Sequence, residues 1–122
     1  MIRTLITLAL SALVASPLAA QHQNAISAPG AVLRALDKVD GKTVDVTVHS
    51  GGAVDAFGLT VELADCRYPA ENPTGDAYAF LIIRDTGESD VDFQGWMIAS
   101  SPALNALDHS RYDVWVLRCI TS

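Results

Sequence analysis

Positive charge is sparse in this chain and never clustered. Eight Lys and Arg face fourteen Asp and Glu, a formal charge of −6 at pH 7. Arg34, Lys38, Lys42, Arg67, Arg84, Arg111 and Arg118 stand singly among acids. Phosphate backbones and anionic headgroups are held by grouped basic side chains, so nucleic acid and membrane-surface binding are set aside. Cysteine is equally scarce: Cys66 and Cys119 are the only two, too far apart for a Cys-x-x-Cys redox pair and too few for a zinc cluster. No Gly-x-Ser-x-Gly elbow presents a nucleophile, and no EF-hand loop is present. Internal repeats and charge blocks are missing, and no apolar run reaches the roughly twenty residues that cross a bilayer.

What the chain does have is an export signal at its start. Arg3 supplies the charged beginning, Leu5 to Val14 the short apolar core and Ala15 to Ala20 the small-residue exit. Cleavage is expected after Ala20, and no cysteine near the cut offers a site for a lipid. The organisation read from the sequence is a signal peptide over 1–20, a flexible N-terminal segment over 21–30 ending in Pro29-Gly30, and a single β domain over 31–122. About a hundred mature residues suit one core. The expected location is the periplasm, as a soluble protein whose acidity keeps it dissolved. In that oxidising compartment Cys66 and Cys119 are expected to pair, a constraint worth roughly 4 kcal/mol for a loop of about 54 residues.

Along the mature part, apolar and polar residues alternate with the period of a strand. Val32 to Leu36 and Thr43 to Val48 are joined through the Asp40-Gly41 turn, and Ser50-Gly51-Gly52 leads into Ala53 to Phe57. Leu59 to Cys66 follows, then a Pro-containing loop to Gly75. Ala77 to Arg84 carries Tyr78, Phe80 and Ile82 on one face and Ala79, Leu81 and Ile83 on the other, which predicts a strand covered on both sides. Val91 to Ile98 and Tyr112 to Ile120 complete seven strands. One helix signal appears, over residues 102–108, with Ser100 or Ser101 as cap and Pro102 in the first turn. The expected fold is all-β, a small single-domain sandwich or barrel with that short helix and one disulfide.

Few residues suggest chemistry. His109 lies among Asp108, Ser110 and Asp113, and a serine-type hydrolase would join it to Ser100 or Ser101, although the Ser-Ser-Pro run reads first as a cap. Asp85, Glu88, Asp90 and Asp92 crowd one turn, read as a solvated strand edge in preference to a weak calcium site. No catalytic residue, metal ligand or cofactor is assigned. Trp115, four residues before Cys119, is expected on the same strand face and so in the core beside the bridge. Trp96 stays open between core and surface. Exposed rings anchor interfaces, so the candidate interaction surface comprises Trp96, Met97, Ser100, Ser101, His109 and Tyr112.

The run from Gly95-Trp96-Met97 through Ala99-Ser100-Ser101-Pro102, Leu104-Asn105 and His109 to Tyr112-Asp113-Val114-Trp115 and Cys119 resembles a family of small exported Gram-negative proteins, domain of unknown function 2155. Leu33 to Gly41, Phe57-Gly58-Leu59 and Cys66 resemble the same family, so the likeness spans almost the whole mature chain. Ile98 stands where the family often has Phe, and Ser110 where Pro commonly follows the His. The resemblance implies a periplasmic single domain with two matching cysteines and carries no activity, ligand or catalytic position.

Together these features predict an exported, non-enzymatic binding or accessory protein. Its expected partner is another envelope protein, in one variant membrane-anchored, which would make the chain an accessory or assembly subunit of an inner-membrane complex. An envelope glycan-binding module and a serine-type hydrolase are the alternatives.

Overall fold

The period-two patterning yields eight antiparallel strands in a computed structural model that describes residues 24–121. The expected signal peptide over 1–20 lies outside those residues. The strands are β1 (Ala25–Ser27), β2 (Gly30–Asp37), β3 (Thr43–His49), β4 (Ala53–Ala56), β5 (Leu59–Pro69), β6 (Tyr78–Asp85), β7 (Phe93–Ile98) and β8 (Tyr112–Ile120). One sheet runs β1-β5-β6-β7, with β4 also pairing to β5; the other runs β3-β2-β8. The eleven-residue β5 is long enough for two neighbours on one edge: β4 takes Leu59 to Glu62 and β1 takes Arg67 to Pro69.

β1 is a departure from the flexible segment expected over 21–30. Ala25, Ile26 and Ser27 pair with Pro69, Tyr68 and Arg67, because β5 outlasts β4 and leaves open edge groups for a short strand to satisfy. Three residues carry too little periodicity to announce a strand.

Between the sheets lie Leu33, Leu59, Val61, Leu63, Leu81, Ile83, Met97, Val114 and Val116, all essentially inaccessible. The Cys66–Cys119 disulfide joins β5 of one sheet to β8 of the other, with Cα atoms 5.8 Å apart. Each cysteine reaches the interior by way of a bulge. In β5 the register shifts between Leu63 and Asp65; in β8 Leu117 is passed over, since Val32 pairs with Arg118 and Leu33 with Val116. A bulge adds one residue and exchanges the two faces of a strand beyond it. Cys66 therefore points inward three residues after Leu63, and Cys119 three after Val116.

That exchange corrects the expectation for Trp115. It faces outward beside Arg34, half-buried, and borders a groove with Pro102, Ala103, Ala106, Asp113 and Val114. Four residues put it on the opposite side from Cys119 because Leu117 intervenes.

The expected helix over 102–108 is also overturned: among the described residues there is no helix. Only one turn forms, with the Leu104 N–H donating to the Ser101 carbonyl. Beyond it the chain is pinned at alternate positions. Asn105 Nδ2 donates to the Trp96 carbonyl at 2.9 Å, Leu107 is 6% exposed in the core, and His109 bonds Asp85 at 2.8 Å. Anchors two residues apart demand an extended backbone. Residues 99–111 thus form a strap that crosses the seam between β7 and β8.

Candidate interaction surface

The strap explains most of the residues that the sequence marked as functional. At its start Ser100 is tied to Asp76, whose Oδ2 accepts from Ser100 Oγ at 2.6 Å and whose Oδ1 accepts from the N–H groups of Ser100 and Ala77. Burial alone would raise the Asp76 carboxyl, but these three donors outweigh it and hold the group below its ordinary value. Ser101 is half-buried in the following turn. Met97, expected on the surface, is 2% exposed, because it pairs with Ala79 on the inward row of the sheet.

At the strap's other end His109 is locked by both ring nitrogens. Nδ1 accepts from the N–H groups of Arg111 and Tyr112, so the ring proton sits on Nε2 and is donated to Asp85. Asp85, Asp92 and His109 bring one donor atom each within 4.8 Å of one another. A ligating imidazole donates a proton through its second nitrogen, whereas here that nitrogen is an acceptor, so the arrangement is that of a locking contact. Ser100 contacts Asp76, just ahead of β6, and His109 contacts Asp85 at its far end, roughly 30 Å apart at strand rise. The fold does not bring them together.

Tyr112 is half-buried in the same end of the sandwich. Its ring lies parallel to that of Phe57 at 5.9 Å, with the Arg111 guanidinium 5.3 Å from its centre. Arg111 also bonds Asp37 at 3.2 Å. Asp37 is the one buried charged residue among those described. Burial opposes its ionised form, but Arg111 and the Val39 N–H prevail and keep its carboxyl below the ordinary range.

Trp96 is the candidate whose side chain the strap leaves free. It is 41% exposed on the outward face of β7, its ring meeting Phe80 edge-on at 5.3 Å. Across β6 and β7 the outward rows pair Tyr78 with Ile98, Phe80 with Trp96 and Ile82 with Gln94. Ala25, Arg67, Tyr78 and Trp96 border a shallow hollow of about 340 Å³ at one end of this stripe. Ala77 to Arg84 was expected to be covered on both sides; its inner row is, and its aromatic row has no element of the described residues upon it.

The family described as an uncharacterized protein conserved in bacteria, DUF2155, matches residues 31–119. The chain belongs to it. No curated protein and no solved structure matches the chain significantly. The DUF2155 span runs from β2 to the second half-cystine, so it takes in both sheets and the whole strap, while β1 precedes it. No helix among the described residues is long and apolar enough to cross a membrane. Within this DUF2155 chain the sequence reading missed Asp76 and Phe57. Asp76 sits 24 residues from its partner Ser100 in a loop without pattern. Phe57 had a signal in the Phe57-Gly58-Leu59 step, read there only as a likeness.

Proposed function

We propose that the protein is an exported, non-enzymatic docking domain that binds another envelope protein through the outward face of β6 and β7. The uncovered row of Tyr78, Phe80, Ile82, Trp96 and Ile98 carries this reading. Contiguous large apolar side chains on an antiparallel sheet face are the usual mark of an interaction site, and tryptophan and tyrosine supply much of the energy at such surfaces. Export through residues 1–20 to the periplasm is part of the same proposal, and a disulfide is consistent with an oxidising compartment. The partner is membrane-anchored if the chain serves as a subunit of an inner-membrane complex. The separation of Ser100 from His109 and the full engagement of the His109 ring favour binding over hydrolysis.

The test is recovery of partners from envelope extract by the mature protein and by Trp96→Arg. Loss of the recovered protein with the variant, at unchanged melting temperature, is expected; an identical set of partners would remove this face from the account. The hollow between Tyr78, Trp96 and Arg67 favours one second reading, an envelope glycan stacked on the rings. Titration of tryptophan fluorescence with cell-wall saccharides separates the two, because only a stacked sugar perturbs Trp96 without any protein present.

A further inference from the structure

The end of the sandwich away from Ser100 carries a feature that the Trp96 face does not use. Phe57 and Gly58 form the two-residue turn between β4 and β5, with Ala56 paired to Leu59. Phe57 has φ 53°, the only positive φ of a non-glycine residue among those described. The first position of such a turn suits glycine, and a bulky ring there is strained. Conformational strain of this kind is kept where the side chain has work to do.

The ring is 40% exposed yet held on a firm base. It stacks on Tyr112, which Gly58 admits, since a Cβ there would come within 2.9 Å of the Tyr112 hydroxyl. Tyr112 is backed by the His109 ring at 5.2 Å. The neighbouring turns expose further apolar side chains, Val39 at 75% and Val91 at 45%. Backbone bonds join these turns across the end: Lys38 N–H to the Arg111 carbonyl, and Thr86 N–H to the Gly58 carbonyl.

Charge decides what fits. Glu88, Asp90 and Asp92 are exposed in the β6–β7 turn, and none has a cation within ion-pair distance among the described residues. Of the cations nearby, Arg111 is paired with Asp37 and Lys38 donates to the His109 carbonyl, which leaves these three carboxylates against the single unpaired charge of Lys38. Apolar anchors with a rim of unmatched carboxylates complement a basic partner and repel anionic lipid. We infer that this end is a second docking surface, for a protein segment that carries Lys or Arg beside an apolar residue seated against Phe57.

A random twelve-residue peptide library selected on the mature protein tests this. Enriched peptides should place at least two basic residues around an aliphatic or aromatic one. Phe57→Gly should weaken them at least tenfold while leaving the melting temperature unchanged or higher, since glycine accepts this turn. Glu88→Gln with Asp90→Asn should weaken them at least threefold and flatten their salt dependence. Trp96→Arg should leave them bound, which keeps this result separate from the sheet-face reading. The inference is overturned if nothing enriches, if enriched peptides lack basic residues, or if Phe57→Gly leaves binding intact. It is equally overturned if Phe57→Gly lowers the melting temperature by more than about 5 °C, on the order of 1 kcal/mol for a domain of this size, because the ring then serves the fold.

Discussion

Gly95 lacks a side chain, and that lets Asn105 cross β7 to reach the Trp96 carbonyl. A Cβ at Gly95 would lie 2.8 Å from Asn105 Nδ2. Gly95→Ala is therefore expected to destabilise the protein by about 0.5–1.5 kcal/mol, the net worth of the Asn105–Trp96 hydrogen bond it displaces, as read from urea midpoints. Asn105→Ala should recover part of that loss in the same background, giving a non-additive double-mutant cycle. Neither role was legible in the sequence, because the two residues meet only after the chain has reversed. Trp115 shows the same limit from another side: strict alternation put it beside Cys119, and the single extra residue at Leu117 inverted the face.

The strap is the element for which sequence and structure diverge most. Ser100, Pro102 and the run of Ala and Leu carry a sound local helix signal, but Asn105, Leu107 and His109 each find a better partner outside the segment. Tertiary contacts at alternate residues outweigh the weak helix preference of seven positions. The Asp76 anchor makes the strap's start sensitive to acid. Its carboxyl is held below the ordinary carboxylate range, so the unfolded chain binds the proton more readily than the native one. The stability from the Ser100 contacts is complete above the ordinary carboxyl pKa and declines as pH falls through the depressed native value. Asp37, depressed in the same direction by Arg111, acts alongside it. Asp76→Asn is expected to be less stable at pH 7 and to lose less further stability between pH 5 and 2 than the parent, measured as denaturant midpoints across that range.

At the scale of the molecule the seven long strands were legible, because alternation is a local signal and the turns carry Gly, Asp and Ser where hairpins need them. Legibility ended at the outward row of β6. Tyr78, Phe80 and Ile82 read the same whether a second layer covers them or a partner does. The pairing of Cys66 with Cys119 followed from their number and expected compartment, and the core places them where one bridge ties both sheets. Replacing both by Ser, or reducing the bridge, is expected to lower stability by about 3–4 kcal/mol, checked by urea unfolding with and without dithiothreitol. The two reduced forms should agree if the bridge acts chiefly on the unfolded chain.

That bridge also divides the polypeptide mechanically. β6, β7 and the strap lie inside the covalent loop between Cys66 and Cys119, while β1 to β4 lie outside it. A pull applied at the two termini passes through the sulfur bond and bypasses the 53-residue separation, removing roughly 18 nm from the reachable extension. A single proteolytic cut in the strap likewise releases no fragment until the bridge is reduced. The sheet face that bears Trp96 thus lies within the loop that a pull at the termini leaves unloaded while the bridge is intact.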